Sequence, residues 1–234
     1  MLAELRGVLR GVPLGADNVK YRRAIIEDNL LGKKTAASRK LTAQRLSELY
    51  GLDPNICLFR LLCQLWEADE RGRPLLAFLC ANARDPLLRI TAPAVLNAQV
   101  GSPVTTQALD QELAAEIGDR LNPASRNKVA RNAASSWTQS GHLVGRVGKV
   151  RAHPVVTSAV VAYAIALGFL TGNRGHRLFD TFWTRLLDVP PGSMPAMAAQ
   201  AASQGWIDLR QAGDVVEIRL PNLLLPAELE AVHE

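Results

Sequence analysis

Acidic residues are missing from one long stretch of this chain. Residues 122–151, NPASRNKVARNAASSWTQSGHLVGRVGKVR, contain six Lys or Arg side chains and not one Asp or Glu. Ordinary solvated faces mix the two signs, so the absence argues for an anionic partner over a face that is basic by accident. Other absences narrow the field further. Aromatic residues make up only 5% of the chain, which leaves Leu, Ala and Val to fill the core. Cys57, Cys63 and Cys80 are odd in number and have no CxxC spacing, which excludes a disulfide framework and predicts buried thiols in a reducing cytoplasm. The first residues, MLAELRGVLRGVPLG, hold no unbroken apolar run, which argues against export. The longest apolar segment, VVTSAVVAYAIALGFL at 155–170, falls short of the ~20 residues a bilayer crossing needs and carries Thr157, Ser158 and Tyr163. It reads as a buried central helix, and no membrane partner is expected.

Catalytic signatures are missing too. GHLVGRVGK resembles a phosphate-binding loop but has Leu143 where that loop needs Gly and Val150 where it needs Ser or Thr. There is no HExxH, no GxSxG and no Cys/His set at metal spacing. The expectation is a protein that is not an enzyme, with no cofactor and no metal. His142 and His153 flank a basic segment and read as phosphate contacts or turn caps, not as acid–base groups. GNRGHR at 172–177 offers Arg174 and Arg177 to an anion, or closes the apolar helix before it.

What is present is a globular composition, 48% hydrophobic and 21% charged over 234 residues. Charge is polarised along it. Residues 1–151 carry 22 Lys+Arg against 14 Asp+Glu, or +8, and the remaining 83 carry 5 against 8, or −3.

Apolar spacing is helical almost throughout, predicting a mainly α fold: a helical bundle with winged-helix-like units and one or two short β-hairpins. After a loose start, a short helix is expected over 21–31, stopped by Gly32, then a second from Thr35 to Tyr50. An apolar helix over 55–68 supplies the core. Another begins at Pro74, and one opened by Pro86 breaks near Pro93. Gly101, Ser102 and Pro103 mark a boundary, giving an N-terminal helical subdomain (1–100), a winged-helix-like unit (101–153) and a C-terminal helical subdomain ending in a hairpin (154–234).

The middle unit has a recognisable plan. Thr105 or Thr106 caps a helix with Leu109, Leu113 and Ile117 on one side; Gly118 ends it; Asn122 caps a second helix that Gly141 ends. Val144, Val147 and Val150 around Gly145 and Gly148 then form a hairpin. At 100° per residue, Val129, Ala133 and Trp137 face inward, and Lys128, Arg131, Asn132, Ser135 and Gln139 face the other way. Cations and amides on a helix with small neighbours suit a major groove, and Arg146, Lys149 and Arg151 on the hairpin suit phosphates or a minor groove. A second cluster, Lys33, Lys34, Arg39, Lys40 and Arg45, surrounds the N-terminal helix pair, with Leu41 falling among the polar residues. It reads either as a second helix-turn-helix touching nucleic acid or as a surface helix packed on two sides. Residues 194–220 repeat the helix-then-hairpin order. Their strands carry Asp208, Asp214 and Glu217, which suits packing or a protein contact better than phosphate.

The blocks DNLLGKKTAASRKLTAQRLSELYGL, LFRLLCQLWEAD, LLAFLCANARDPLLR, SRNKVARNAASSWTQSGHLVG and QGWIDLRQAGDVVEIRLP, above all ARDPLLR and AGDVV, resemble the successive blocks of the BrxA family of bacteriophage exclusion (BREX) systems. The resemblance runs over roughly residues 20 to 222. It implies a mostly helical cytoplasmic protein with winged-helix character that binds double-stranded DNA without being an enzyme, beside partners carrying the methyltransferase and ATPase activities. The alternatives are a winged-helix transcriptional regulator and a protein–protein scaffold; RNA is a further possible ligand.

Overall fold

The structure, a computed structural model, describes residues 1–213 and 215–230. The chain is mainly α-helical with two short antiparallel strand pairs. It does not start loosely: α1 (Leu2–Gly11) buries Leu5, Val8 and Leu9 on one face. Its two glycines are contact surface. A Cβ on Gly7 would stand 2.7 Å from Leu31, and one on Gly11 2.6 Å from Leu30. The second helix, α2 (Asn18–Ile26), is capped by Asp17 and stops earlier than expected. Asn29 (φ 52°) and Gly32 (φ 61°) turn the chain through the left-handed region, so 27–32 is a loop. A Thr35–Ser38 capping box starts α3 (Ala36–Tyr50), which packs against α2.

Next come α4 (Cys57–Ala68) and α5 (Arg73–Arg84, with Pro74 in its first turn). Thr91 then separates α6 (Pro86–Ile90) from α7 (Ala92–Leu96), the break expected near Pro93. Residues 101–104 are not a bare turn. Gly101 N–H donates to the Arg151 carbonyl at 2.9 Å, Arg151 N–H to that of Ser102 at 2.9 Å, and Val104 N–H to that of Lys149 at 2.9 Å. They therefore lie alongside the hairpin of β1 (Leu143–Val144) and β2 (Val150–Arg151), with Pro103 bridging Val150. Between them sit α8 (Thr106–Ile117), capped by Thr105, and α9 (Pro123–Gln139), capped by Asn122. Strand, helix, helix, hairpin is the order of a winged helix.

α10 (Ser158–Leu170) is buried on every side from Ala159 to Phe169 and touches α4, α5, α11 (Phe182–Arg185) and α12 (Met194–Ser203). A helix apolar all round belongs at the centre of a domain. No helix among the described residues is long and apolar enough to cross a membrane. The strands β3 (Asp208–Ala212) and β4 (Val215–Arg219) pair with Leu209 opposite Ile218, and β4 runs beside the 3-10 turn Gly175–Phe179. That repeats the winged plan at the C-terminal end. Asp214, counted among the acids of this hairpin, lies outside the described residues. A final short helix, α13 (Pro226–Glu230), is tied to α4 by an Arg60–Glu228 ion pair. One buried cluster extends from Leu5 to Leu224. Burial pushes the thiols of Cys57 and Cys63 up to about 12 and that of Cys80 up to about 11.

Candidate nucleic-acid interface

The packed side of α9 is made of Ala130, Ala133, Ala134 and Trp137. Three alanines let the helix lie close on α8, and Arg126 locks the pair by donating to both Asp110 carboxylate oxygens, at 3.0 and 3.2 Å. Trp137 fixes the helix's rotation. Its Nε1–H donates to Thr91 Oγ1 at 2.8 Å, and its ring lies 4.6 Å from Phe78 and 4.9 Å from His142. With that side committed, Lys128, Arg131, Asn132 and Ser135 stand exposed, as the helical period predicts. Asn127 joins them. It was missed although it precedes Arg131 by one helical turn, which is the signal that finds it. The side chains of Lys128 and Arg131 make no hydrogen bond or ion pair among the described residues.

Gln139 departs from this face. Its Oε1 accepts the Leu2 backbone N–H at 2.9 Å, holding the first turn of α1 against the end of α9, and its Nε2 donates to Ser135 at 3.0 Å. It is a structural link and not a free amide.

On the wing, Gly145 takes φ 102°, and a Cβ there would meet the Gly148 carbonyl at 2.2 Å. The turn therefore requires glycine. It presents exposed Arg146 next to Val147, which is 95% exposed. Lys149 is half-buried and donates through Nζ to Thr138 Oγ1 at 2.6 Å, fastening the wing to the last turns of α9.

Arg151 is the main correction to the expected contact set, because it is 2% exposed and faces the interior. Its guanidinium ion-pairs with Asp188 at 2.6 Å, donates to the Val95 carbonyl at 2.8 Å, and also reaches the carbonyls of His142 and Ala152. Five donors on a strand base surrounded by carbonyl groups satisfy the interior and leave nothing for phosphate. His142 is likewise buried and not a phosphate contact. Its Nε2–H donates to the Leu186 carbonyl at 2.9 Å while Nδ1 accepts from Ser140 at 2.7 Å. Burial, with Arg151 nearby, pushes its pKa down to about 4. His153 is exposed and bonded to Asp188 at 2.7 Å. In the 172–177 loop, Arg174 donates to the Phe169 and Asn173 carbonyls, so it closes α10.

The N-terminal cluster divides in the same manner. Lys33 pairs with Glu4 at 3.0 Å. Although burial opposes it, the Lys33 hydrogen bond prevails and holds the Glu4 carboxyl below its ordinary range. Arg39 is half-buried and reaches the Glu27 carbonyl at 3.4 Å. Arg45 pairs with Glu48 at 3.2 Å. Lys34 and Lys40 remain exposed, with Leu41 54% exposed beside them. α3 packs on two sides, against α2 and α5. The links Lys33–Glu4 and Leu2–Gln139 join this cluster to the end of α9 through the first turn of α1.

Comparison of the chain with protein-family models, with curated proteins and with solved structures found no match in any of the three.

Proposed function

We propose that this chain is a double-stranded DNA-binding accessory protein of a BREX-type phage-defence system, without an active site of its own, serving partners that carry methyltransferase and ATPase activity. The observation that carries the DNA reading is the exposed face of α9, where Lys128, Arg131, Asn127, Asn132 and Ser135 stand together with no acid among them. Arg146 extends that face onto the wing. Trp137 and the Arg126–Asp110 pair hold the helix in this orientation, so a duplex meets a preformed surface. The placement in a defence system rests on the resemblance of the sequence blocks. Sequence preference is expected to be weak, because most of the exposed donors suit phosphates better than bidentate contacts to base edges.

A salt-dependent titration on duplex, single-stranded and RNA probes tests the reading. Lys128, Arg131, Arg146 and Lys149 give four phosphate contacts and a slope of log K against log salt near about −3.6, at roughly −0.9 per contact. If Lys34 and Lys40 also engage, the slope steepens to about −5. Lys128→Ala with Arg131→Ala should flatten it by about 2 and leave the melting temperature in place. A flat salt response, or a preference for single strands or RNA over duplex, overturns the proposal.

A further inference from the structure

Between the first winged unit and the loop that precedes α12 lies a cleft of about 1120 Å³. Small-molecule sites favour such junctions, and their usual volumes approach this one. One wall is apolar, formed by Phe179, Phe182, Pro190 and Met194. The α6–α7 segment and the outer side of α8 also line it, the latter through Glu112, Ala115 and Glu116.

The charges around the cleft are unequal. Asp180 and Arg185 approach each other at 3.8 Å. Asp188 is engaged with Arg151 and His153, and Arg89 directs its Nη1 into the carbonyls of Asn82 and Ala83 at the end of α5. His176 lies with its ring 5.4 Å from that of Phe179. Glu112 and Glu116 have no side-chain hydrogen bond or ion pair among the described residues. They are also four apart on one helix, the spacing at which like charges repel, so α8 holds two mutually repelling carboxylates in a cleft that is otherwise lined largely by apolar side chains. A cation seated between them relieves that repulsion and gains charge-assisted hydrogen bonds, while its apolar body covers the phenylalanines.

We propose that this cleft binds a small amphipathic organic cation, with Glu112 and Glu116 holding its charge and Phe179 and Phe182 its apolar body. The site is separate from the exposed face of α9 and does not depend on DNA being the ligand there.

Fluorescence anisotropy of the full chain with two xanthene dyes tests it, rhodamine 6G as the cation and fluorescein as the anion of similar size. Rhodamine 6G should bind saturably at one site and fluorescein should not. Glu112→Gln with Glu116→Gln should weaken rhodamine binding about tenfold or more. Ala115→Trp adds bulk at an exposed position of α8 without disturbing the core, and should block the cleft. Glu27→Gln with Glu67→Gln removes the same two charges outside the cleft and should leave binding unchanged. The proposal is overturned by absence of rhodamine binding, by equal binding of fluorescein, by survival of binding in Ala115→Trp, or by equal losses in the two Gln pairs.

Discussion

Replacing Arg151 by Ala separates a buried strut from a nucleic-acid contact, because the two roles predict opposite outcomes. In the fold the guanidinium serves four acceptors: Asp188 at 2.6 Å, the Val95 carbonyl at 2.8 Å, and the carbonyls of His142 and Ala152. Removing it leaves those carbonyls short of a donor inside the protein and leaves Asp188, whose side chain is only 17% exposed, with His153 as its remaining side-chain partner among the described residues. Breaking a buried pair from one side typically costs about 3–5 kcal/mol, and that is the loss expected here. In urea, with a slope of about 2–3 kcal/mol/M, the midpoint should fall by roughly 1 to 2.5 M with the slope unchanged. Asp188→Asn should cost less. Asp188 sits at φ 54°, which Asn also tolerates, and an amide oxygen can still accept from Arg151. Duplex affinity of folded Arg151→Ala protein should stay near wild type. A stability loss under about 1 kcal/mol together with lost DNA affinity would show that Arg151 faces outward, and would refute the packing argument.

Trp137→Ala removes a fully buried ring and the donor to Thr91, and should cost about 3–5 kcal/mol in urea unfolding; a small cost would mean α9 is rotated from its described phase. His142 ties stability to pH. Its pKa is pushed from 6.5 to about 4 in the fold, so the unfolded chain takes up a proton first as pH falls. That stability is complete above about pH 6.5 and is lost as pH falls toward 4, to a total of about 3 kcal/mol. In urea titrations across this range, His142→Gln should remove that component of the pH dependence, and an unchanged profile would contradict it. Gly145→Ala places a Cβ 2.2 Å from the Gly148 carbonyl and should open the wing, seen as faster amide exchange there and weaker duplex binding, with α9 unaffected.

Much of the fold was legible because caps and stops are local. Thr35, Thr105 and Asn122 each accept a backbone N–H at the start of a helix, and Gly118 and Gly141 adopt positive φ where helices end. The unread parts depend on distant partners. Gly7 and Gly11 look like breakers in sequence, yet they make room for Leu31 and Leu30 within α1. Gly101 to Pro103 read as a junction, yet their hydrogen bonds go to Lys149 and Arg151, and no local pattern announces that pairing. The same distinction runs through the candidate interface. A 3.6-residue period was enough to orient Lys128 and Arg131 away from Trp137. It could not show that Arg151 is spent on Val95 and Asp188, Lys33 on Glu4, or Gln139 on Leu2, since each partner is remote in sequence.

The two winged-helix-like units of the chain share a backbone plan and differ in the charge they expose. Both place two helical elements before a hairpin, and both set the hairpin beside an extended or 3-10 segment. In the first, the helix next to the hairpin leaves Lys128 and Arg131 without a side-chain partner among the described residues, and Arg146 stands exposed on the turn. In the second, α12 carries no charged residue at all. The hairpin's cations there are neutralised within their own strands, Arg210 by Asp208 at 3.6 Å and Arg219 by Glu217 at 2.6 Å. A phosphate backbone rewards uncompensated cations and is indifferent to paired ones, because counterion release follows net neutralised charge. The same backbone plan therefore exposes uncompensated cations at one end and mostly paired charges at the other, a difference made by side chains and not by fold.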